Sequence, residues 1–221
     1  MISEIQNLLP ILAQGFGTTL AIFGLTLFFS IPLGLLVAVL KMSKYKVIRY
    51  PVTFYVSVMR GTPLLLQIVA IYFGTYYLSR SMNADLSFDR FPAVIFAFSV
   101  NYAAYFAEIF RGGIEAIPKG QYEAGQVLGM TKAQVFFKVV LFQVFKRVVP
   151  PLGNEIITLV KDTSLARIIA VKEIIMVAQN FISSKALIWP LFYSGLFYLV
   201  FCGLLTILFG FIEKKLDYYR G

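Results

Sequence analysis

The chain has 221 residues, 59% of them hydrophobic, with a mean hydropathy of +0.79 and a formal net charge of +9. Soluble domains are about 45–50% apolar, so this composition describes an all-α, polytopic membrane helix bundle, read as one unit over 1–221. With no histidine and only Cys202, the chain holds no His-based triad, no His/Cys zinc site and no internal disulfide. The positive charge sits in short loops between apolar stretches, which signals topology and not a nucleic-acid surface.

Met1–Gln14 has one charge, Glu4, and no basic leader. It reads as a short amphipathic helix on the outer surface, with Ile5, Leu8, Leu9 and Leu12 inward. Gly15–Leu40 is free of charge for 26 residues, enough to cross an apolar core of about 30 Å; Pro32 and Gly34 are its expected bend. Lys41–Arg49 is basic. The second span lies within Pro51–Leu78 and is interrupted at Arg60-Gly61-Thr62-Pro63, so its first part is expected as a separate helix. The third span is Phe91–Ala107, with Glu108 and Arg111 expected to pair at its inner end. The fourth, within Val148–Ala170, is the least apolar. Val171–Lys185 is an outer segment, and the fifth span is Ala186–Ile212. Tyr72, Tyr76, Tyr77, Tyr218 and Tyr219 read as interface belts.

Five spans place the termini on opposite sides. Lys41–Arg49, the central loop and the tail hold thirteen Lys/Arg, against five in the other connections. The positive-inside rule therefore predicts the N-terminus out and the C-terminus in.

Arg111–Arg147 is the longest stretch too polar to cross a bilayer. Pro118 and Gly120 interrupt a helix there. Gln121–Leu128 is a second short helix, ended by a left-handed Gly129. Thr131 caps a third, with Val135, Val139 and Phe142 on one face.

Two polar places fall at membrane depth. At the first, Gly61 and Pro63 break the helix, and a new helix starting at Pro63 with Thr62 as cap presents N–H groups to an anion. Arg60 adds a fixed positive charge, and Ser57 lies one turn before it. At the second, Glu155 and Asp162 are seven residues apart, within about 20° on one helical face. Their repulsion calls for a cation beside them, and Ser164 is close by. A carboxylate site and a cation site together suit a zwitterionic amino acid, a basic one best. Structural readings stay open: Arg60 at a plain kink, Asp162 capping a half-helix, Glu155 paired with Arg60, and Asn101 bonding a neighbouring helix. The substrate-binding candidates are Ser57, Arg60, Gly61, Thr62, Asn101, Glu155, Asp162 and Ser164.

Glu123-Ala124-Gly125, with Gly129, Val139 and Leu141-Phe142 at the spacing Glu-Ala-Ala-x3-Gly-x9-Ile-x-Leu-Pro, resembles the coupling loop of ATP-binding cassette importer permeases. Gly125, Val139 and Phe142 depart from that pattern. Arg60–Leu64, Ala104-Tyr105 with Glu108 through Gln121, and Lys161–Leu165 are similar, in order, to motifs of the polar amino acid subfamily. The resemblance implies a prokaryotic plasma-membrane importer for basic or polar amino acids. It implies a cytoplasmic ATPase dimer that receives Glu123, Ala124, Gly125 and Gly129 and itself binds ATP and magnesium. A second permease subunit and an external substrate-binding protein are implied too. The chain has no Gly-x-x-x-x-Gly-Lys-Ser/Thr loop, so hydrolysis is expected in another subunit, and no cofactor or metal in this one. The alternative is an ion-coupled secondary carrier, with Glu155 and Asp162 on Na⁺ or H⁺.

Overall fold

The structure, a computed structural model, describes residues 2–216, with only the backbone described for residues 2–9. The expected inward faces of Ile5, Leu8 and Leu9 and the belt at Tyr218 and Tyr219 lie outside the described residues. Among the described residues the chain is helical throughout, with no strand.

Helix α1 runs from Ile2 to Lys41 without interruption, so the separate N-terminal surface helix is not observed. No local cap ends it near Gly15. The Thr19 hydroxyl donates to the Gly15 carbonyl one turn back (3.2 Å), which continues the helix instead of starting a new one. At Gly34 the helix is tightly packed: a Cβ there would lie 2.8 Å from Phe106 Cβ and 3.0 Å from the Ala103 carbonyl. It is the point where α1 lies against α4 (Arg90–Glu115), and small residues let helix backbones approach in this way.

Between them, α2 (Lys46–Gly61) and α3 (Leu64–Met82) meet at an angle of 110°. The expected second span is thus two helices, as the Gly61/Pro63 interruption requires. The core lies around α4, where Phe98, Phe106 and Tyr102 pack with Ile22 of α1, Ile68 of α3 and Leu159 of α7 (Leu141–Asp162).

The central loop forms α5 (Lys119–Val127) and α6 (Lys132–Val135), and a single π-helical turn, Phe136–Val140, joins α6 to α7. The chain does not turn sharply at Phe142, which is exposed on the helix surface. The extra residue of the π turn moves the buried stripe to Val135, Val140, Val144 and Val148. The expected stripe of Val135, Val139 and Phe142 assumed a regular 3.6-residue repeat. After α7, Thr163–Ile169 tightens into a 3₁₀ helix.

The outer segment holds α8 (Ile174–Lys185), and α9 spans Trp189–Leu216. Glu173, fully buried, caps α8 by accepting from the backbone N–H of Ile175 (2.8 Å) and of Met176 (2.7 Å). Burial pushes its carboxyl above the usual range, and the two N–H bonds offset this only in part.

By length and composition, three stretches can cross a membrane: Pro10–Lys41, Arg90–Glu115 and Trp189–Leu216. The bent α2/α3 pair makes a fourth if it counts as one span. Helix α7 falls short of a plain hydrophobic span, since it carries Lys146, Arg147, Glu155, Lys161 and Asp162.

Candidate functional site

Helix α4 connects the two polar places through consecutive residues. Asn101, 3% exposed, donates from Nδ2 to the Met59 carbonyl and to Gln67 Oε1, both at 3.0 Å. Tyr102 donates its hydroxyl to Asp162 Oδ2 at 2.7 Å. One helix therefore holds the α2–α3 break with one side chain and the acidic end of α7 with the next.

The break is satisfied by tertiary partners. Gln67 Nε2 donates to the Met59 carbonyl (3.0 Å), the Thr62 carbonyl (3.2 Å) and the Thr62 hydroxyl (2.8 Å). Thr62 does not cap α3. Pro63 occupies that position without a side-chain bond, and the Thr62 hydroxyl donates back to the Val58 carbonyl (2.8 Å). Broken helices at membrane depth need such partners, because each unsatisfied carbonyl in hydrocarbon costs several kcal/mol. Gln67 was absent from the sequence-based set. A lone amide in the first turn of the apolar run Leu64–Ile71 is the signal that marks it.

Ser57, Arg60, Gly61 and Thr62 all lie on the uncovered side of the break. Arg60 is 44% exposed; its guanidinium is 3.7 Å from Glu108 Oε2 and 5.3 Å from the centre of the Tyr105 ring. The expected Glu108–Arg111 pair is present at 2.7 Å. Glu108 also receives Lys41, so cations from α1, α2 and α4 meet on one carboxylate. Arg111 reaches on to Glu115.

Asp162 does not cap the 3₁₀ helix with its side chain. Ser164 donates to the Lys161 carbonyl (2.8 Å), and Thr163 to the Val160 carbonyl (2.6 Å). Glu155 is half-buried and, among the described residues, makes no hydrogen bond or ion pair. Asp162 and Arg60 both act on it electrostatically. Two carboxylates on one helical face, one held by a tyrosine and the other unpaired, leave room for an added cation.

In the central segment Glu123 and Ala124 are exposed, and so are Val127 (87%) and Leu128 (78%). Gly129 has φ +72°, the left-handed conformation expected of it. Thr131 and Gln134 form a reciprocal capping box: the Thr131 N–H donates to Gln134 Oε1 (2.8 Å), and the Gln134 N–H to Thr131 Oγ1 (3.3 Å). Gly125 is placed differently from its neighbours. It is buried, and a Cβ on it would lie 2.4 Å from Val135 Cγ2. It seats α5 on α6 and presents no surface of its own.

Residues 30–218 match the family described as binding-protein-dependent transport system inner membrane component. The chain is 41% identical over 217 residues to the L-cystine transport system permease protein TcyB of Bacillus subtilis (strain 168), covering 97% of this chain and 90% of that one. It is 34% identical over 209 residues to the arginine transport system permease protein ArtQ of the same organism, covering 94% and 93%. Among solved structures, an amino acid ABC transporter crystallised with histidines superposes with a TM-score of 0.86 at 31% identity, covering 97% of both chains. The MetNI methionine ABC transporter in an inward-facing form gives 0.70 at 16% identity, a likeness of fold alone.

Proposed function

This chain belongs to the binding-protein-dependent transport system inner membrane components and is the permease subunit of an amino acid ABC importer, and from that premise we propose that its cargo is a polar L-amino acid with a second cationic group. Arginine, lysine and histidine are the first candidates. The observation that carries this reading is the unpaired Glu155, on the same face of α7 as the Tyr102-held Asp162 and within the field of Arg60. In this reading the α-carboxylate of the cargo meets Arg60 and the free N–H groups of α3, beside Ser57, Gly61 and Thr62. Its cationic group meets Glu155 and Asp162 near Ser164. Asn101 acts from behind, on the backbone of the break.

A second reading is L-cystine, favoured by the 41% identity to the L-cystine permease protein. Cystine also carries two ammonium groups, so it suits the same pair of carboxylates.

The topology that goes with this function has five crossings: α1, the α2/α3 pair, α4, α7 and α9, with the N-terminus outside. The importer is completed by a second permease subunit, identical or homologous, an external substrate-binding protein, and a cytoplasmic ATPase dimer that binds ATP and magnesium. Glu123, Ala124, Val127 and Leu128 form the surface offered to the ATPase, set in place by Gly125 and Gly129.

Equilibrium binding of arginine, lysine, histidine, cystine and glutamine to the purified permease–ATPase complex tests the site. Binding of one of the dicationic amino acids is expected, with loss in both Glu155→Gln and Asp162→Asn and no response to glutamine. Equal binding by the variants removes the carboxylates from the site. Glu123→Lys is expected to leave amino acid binding intact and abolish ATP-driven uptake; normal uptake refutes the docking role.

A further inference from the structure

Asn101, Tyr105 and Glu108 lie on one face of α4, four and three residues apart. That face addresses two consecutive residues of α2. Asn101 donates to the Met59 carbonyl, while Tyr105 and Glu108 meet the Arg60 side chain. We infer that Tyr105 is a positioning residue: its ring fixes the Arg60 guanidinium so that the N–H groups stay free and aligned for a carboxylate. Arg60 receives the α-carboxylate of the cargo in the reading above, on which this role rests.

The contacts hold the guanidinium without occupying it. Its nearest nitrogen stands 3.7 Å from Glu108 Oε2, close enough for an ion pair and too far for a hydrogen bond. Among the described residues the Arg60 side chain donates no hydrogen bond, so its N–H groups are unspent. Glu108 explains why. Arg111 donates to Oε2 at 2.7 Å and to Oε1 at 3.4 Å, and Lys41 donates to Oε1 as well. A carboxylate already served by two cations keeps Arg60 near by charge and leaves it its donors. The Arg60 side chain is 44% exposed against 14% for Glu108, so the guanidinium is open on the side away from Glu108.

Tyr105 supplies the constraint that Glu108 does not. Its ring centre lies 5.3 Å from the guanidinium carbon, within reach of a cation–π contact. A guanidinium binds a carboxylate through two parallel N–H bonds in its own plane, so recognition needs that plane fixed and not only the charge nearby. The ring is placed in turn by Tyr102, whose ring centre is 6.1 Å away and whose hydroxyl bonds Asp162. Two tyrosines three residues apart thus set the span of the site, with Asp162 on one and Arg60 on the other. The seat of α2 on α4 does not depend on Tyr105. Tyr55 donates to the Val100 carbonyl (2.5 Å), and Val56 packs with Val37, Ala38, Ala104 and Ala107. Variants of Tyr105 are therefore expected to keep the fold.

The test is equilibrium binding of two ligand pairs to the purified permease–ATPase complex: L-arginine with L-argininamide, and L-cystine with its diamide. Each amide keeps the cationic groups and loses the carboxylate charge. Wild type is expected to favour the acid over the amide in the pair it binds, and Arg60→Gln to lose that preference. In Tyr105→Leu the affinity for the acid should fall about fivefold or more while affinity for the amide holds. Replacing Tyr105 by pentafluorophenylalanine keeps the shape and reverses the charge on the ring face, and should give the same loss. Tyr105→Phe retains the ring and should retain the preference. A wild-type preference with pentafluorophenylalanine in place overturns the positioning role, and so does an equal loss for acid and amide or a Tyr105→Phe that behaves as Tyr105→Leu. The reading of Arg60 as the carboxylate site fails instead if Arg60→Gln keeps the preference, or if wild type has none or binds neither pair.

Discussion

Two breaks in helix regularity meet their backbone requirements in opposite ways. The α5–α6 turn is satisfied locally: Gly129 takes the left-handed conformation, and Thr131 and Gln134 cap each other three residues apart. The α2–α3 break is satisfied from a distance. Met59 and Thr62 carbonyls receive amides from Gln67, and Asn101 reaches Met59 from 42 residues away. The solvent accounts for the difference. In water, an imperfect cap leaves carbonyls and amides that water can serve. In hydrocarbon the only partners are other parts of the protein, so the break needs a dedicated polar clamp.

The clamp should be the more costly of the two to remove. Gln67→Leu deletes all three donations to the break and the acceptor of Asn101, and should destabilise the permease by about 2–3 kcal/mol, the upper range for leaving buried polar groups unsatisfied. Thermal unfolding of the reconstituted complex checks this, and uptake should fall with it. An unchanged midpoint would mean that the freed carbonyls need no tertiary partner.

Gly125→Ala sharpens the contrast from the other side, since its new methyl meets Val135 at 2.4 Å. Overpacking there should cost about 1–3 kcal/mol and disturb coupling. Val135→Ala in the same chain should restore both the melting temperature and ATP-driven uptake. Failure of that rescue would show that the Gly125–Val135 approach is not what places α5. The smallest effect is expected from Thr131→Ala, about 1 kcal/mol for a lost N-cap. Amide exchange should quicken at Gln134 and leave residues 59–67 untouched; faster exchange in both regions would refute the separation of local from long-range satisfaction.

The same division explains which features were legible in advance. The left-handed Gly129, the Thr131 cap, the interruption at Gly61-Thr62-Pro63 and the Glu108–Arg111 pair all depend on residues within four positions of one another, and all are observed. The displaced stripe of α7 was missed because a π turn changes the repeat without a sequence marker as plain as proline. The continuous α1 was missed because apolar and weakly amphipathic helices join without a visible boundary.

By itself, the sequence determined that this chain is helical and apolar. It also determined where helices are interrupted and which charges fall at membrane depth, because these follow from residue chemistry and short-range spacing. Tertiary structure alone decided that Asn101 and Tyr102, adjacent on α4, serve two different polar places. It also decided that Gln67 holds the break, that Lys41 and Arg60 converge with Arg111 on Glu108, and that Gly34 and Gly125 are points of contact. Those roles depend on which helix faces meet. No local pattern encodes that, since a side chain's partner in a packed bundle is set by the fold of the whole chain.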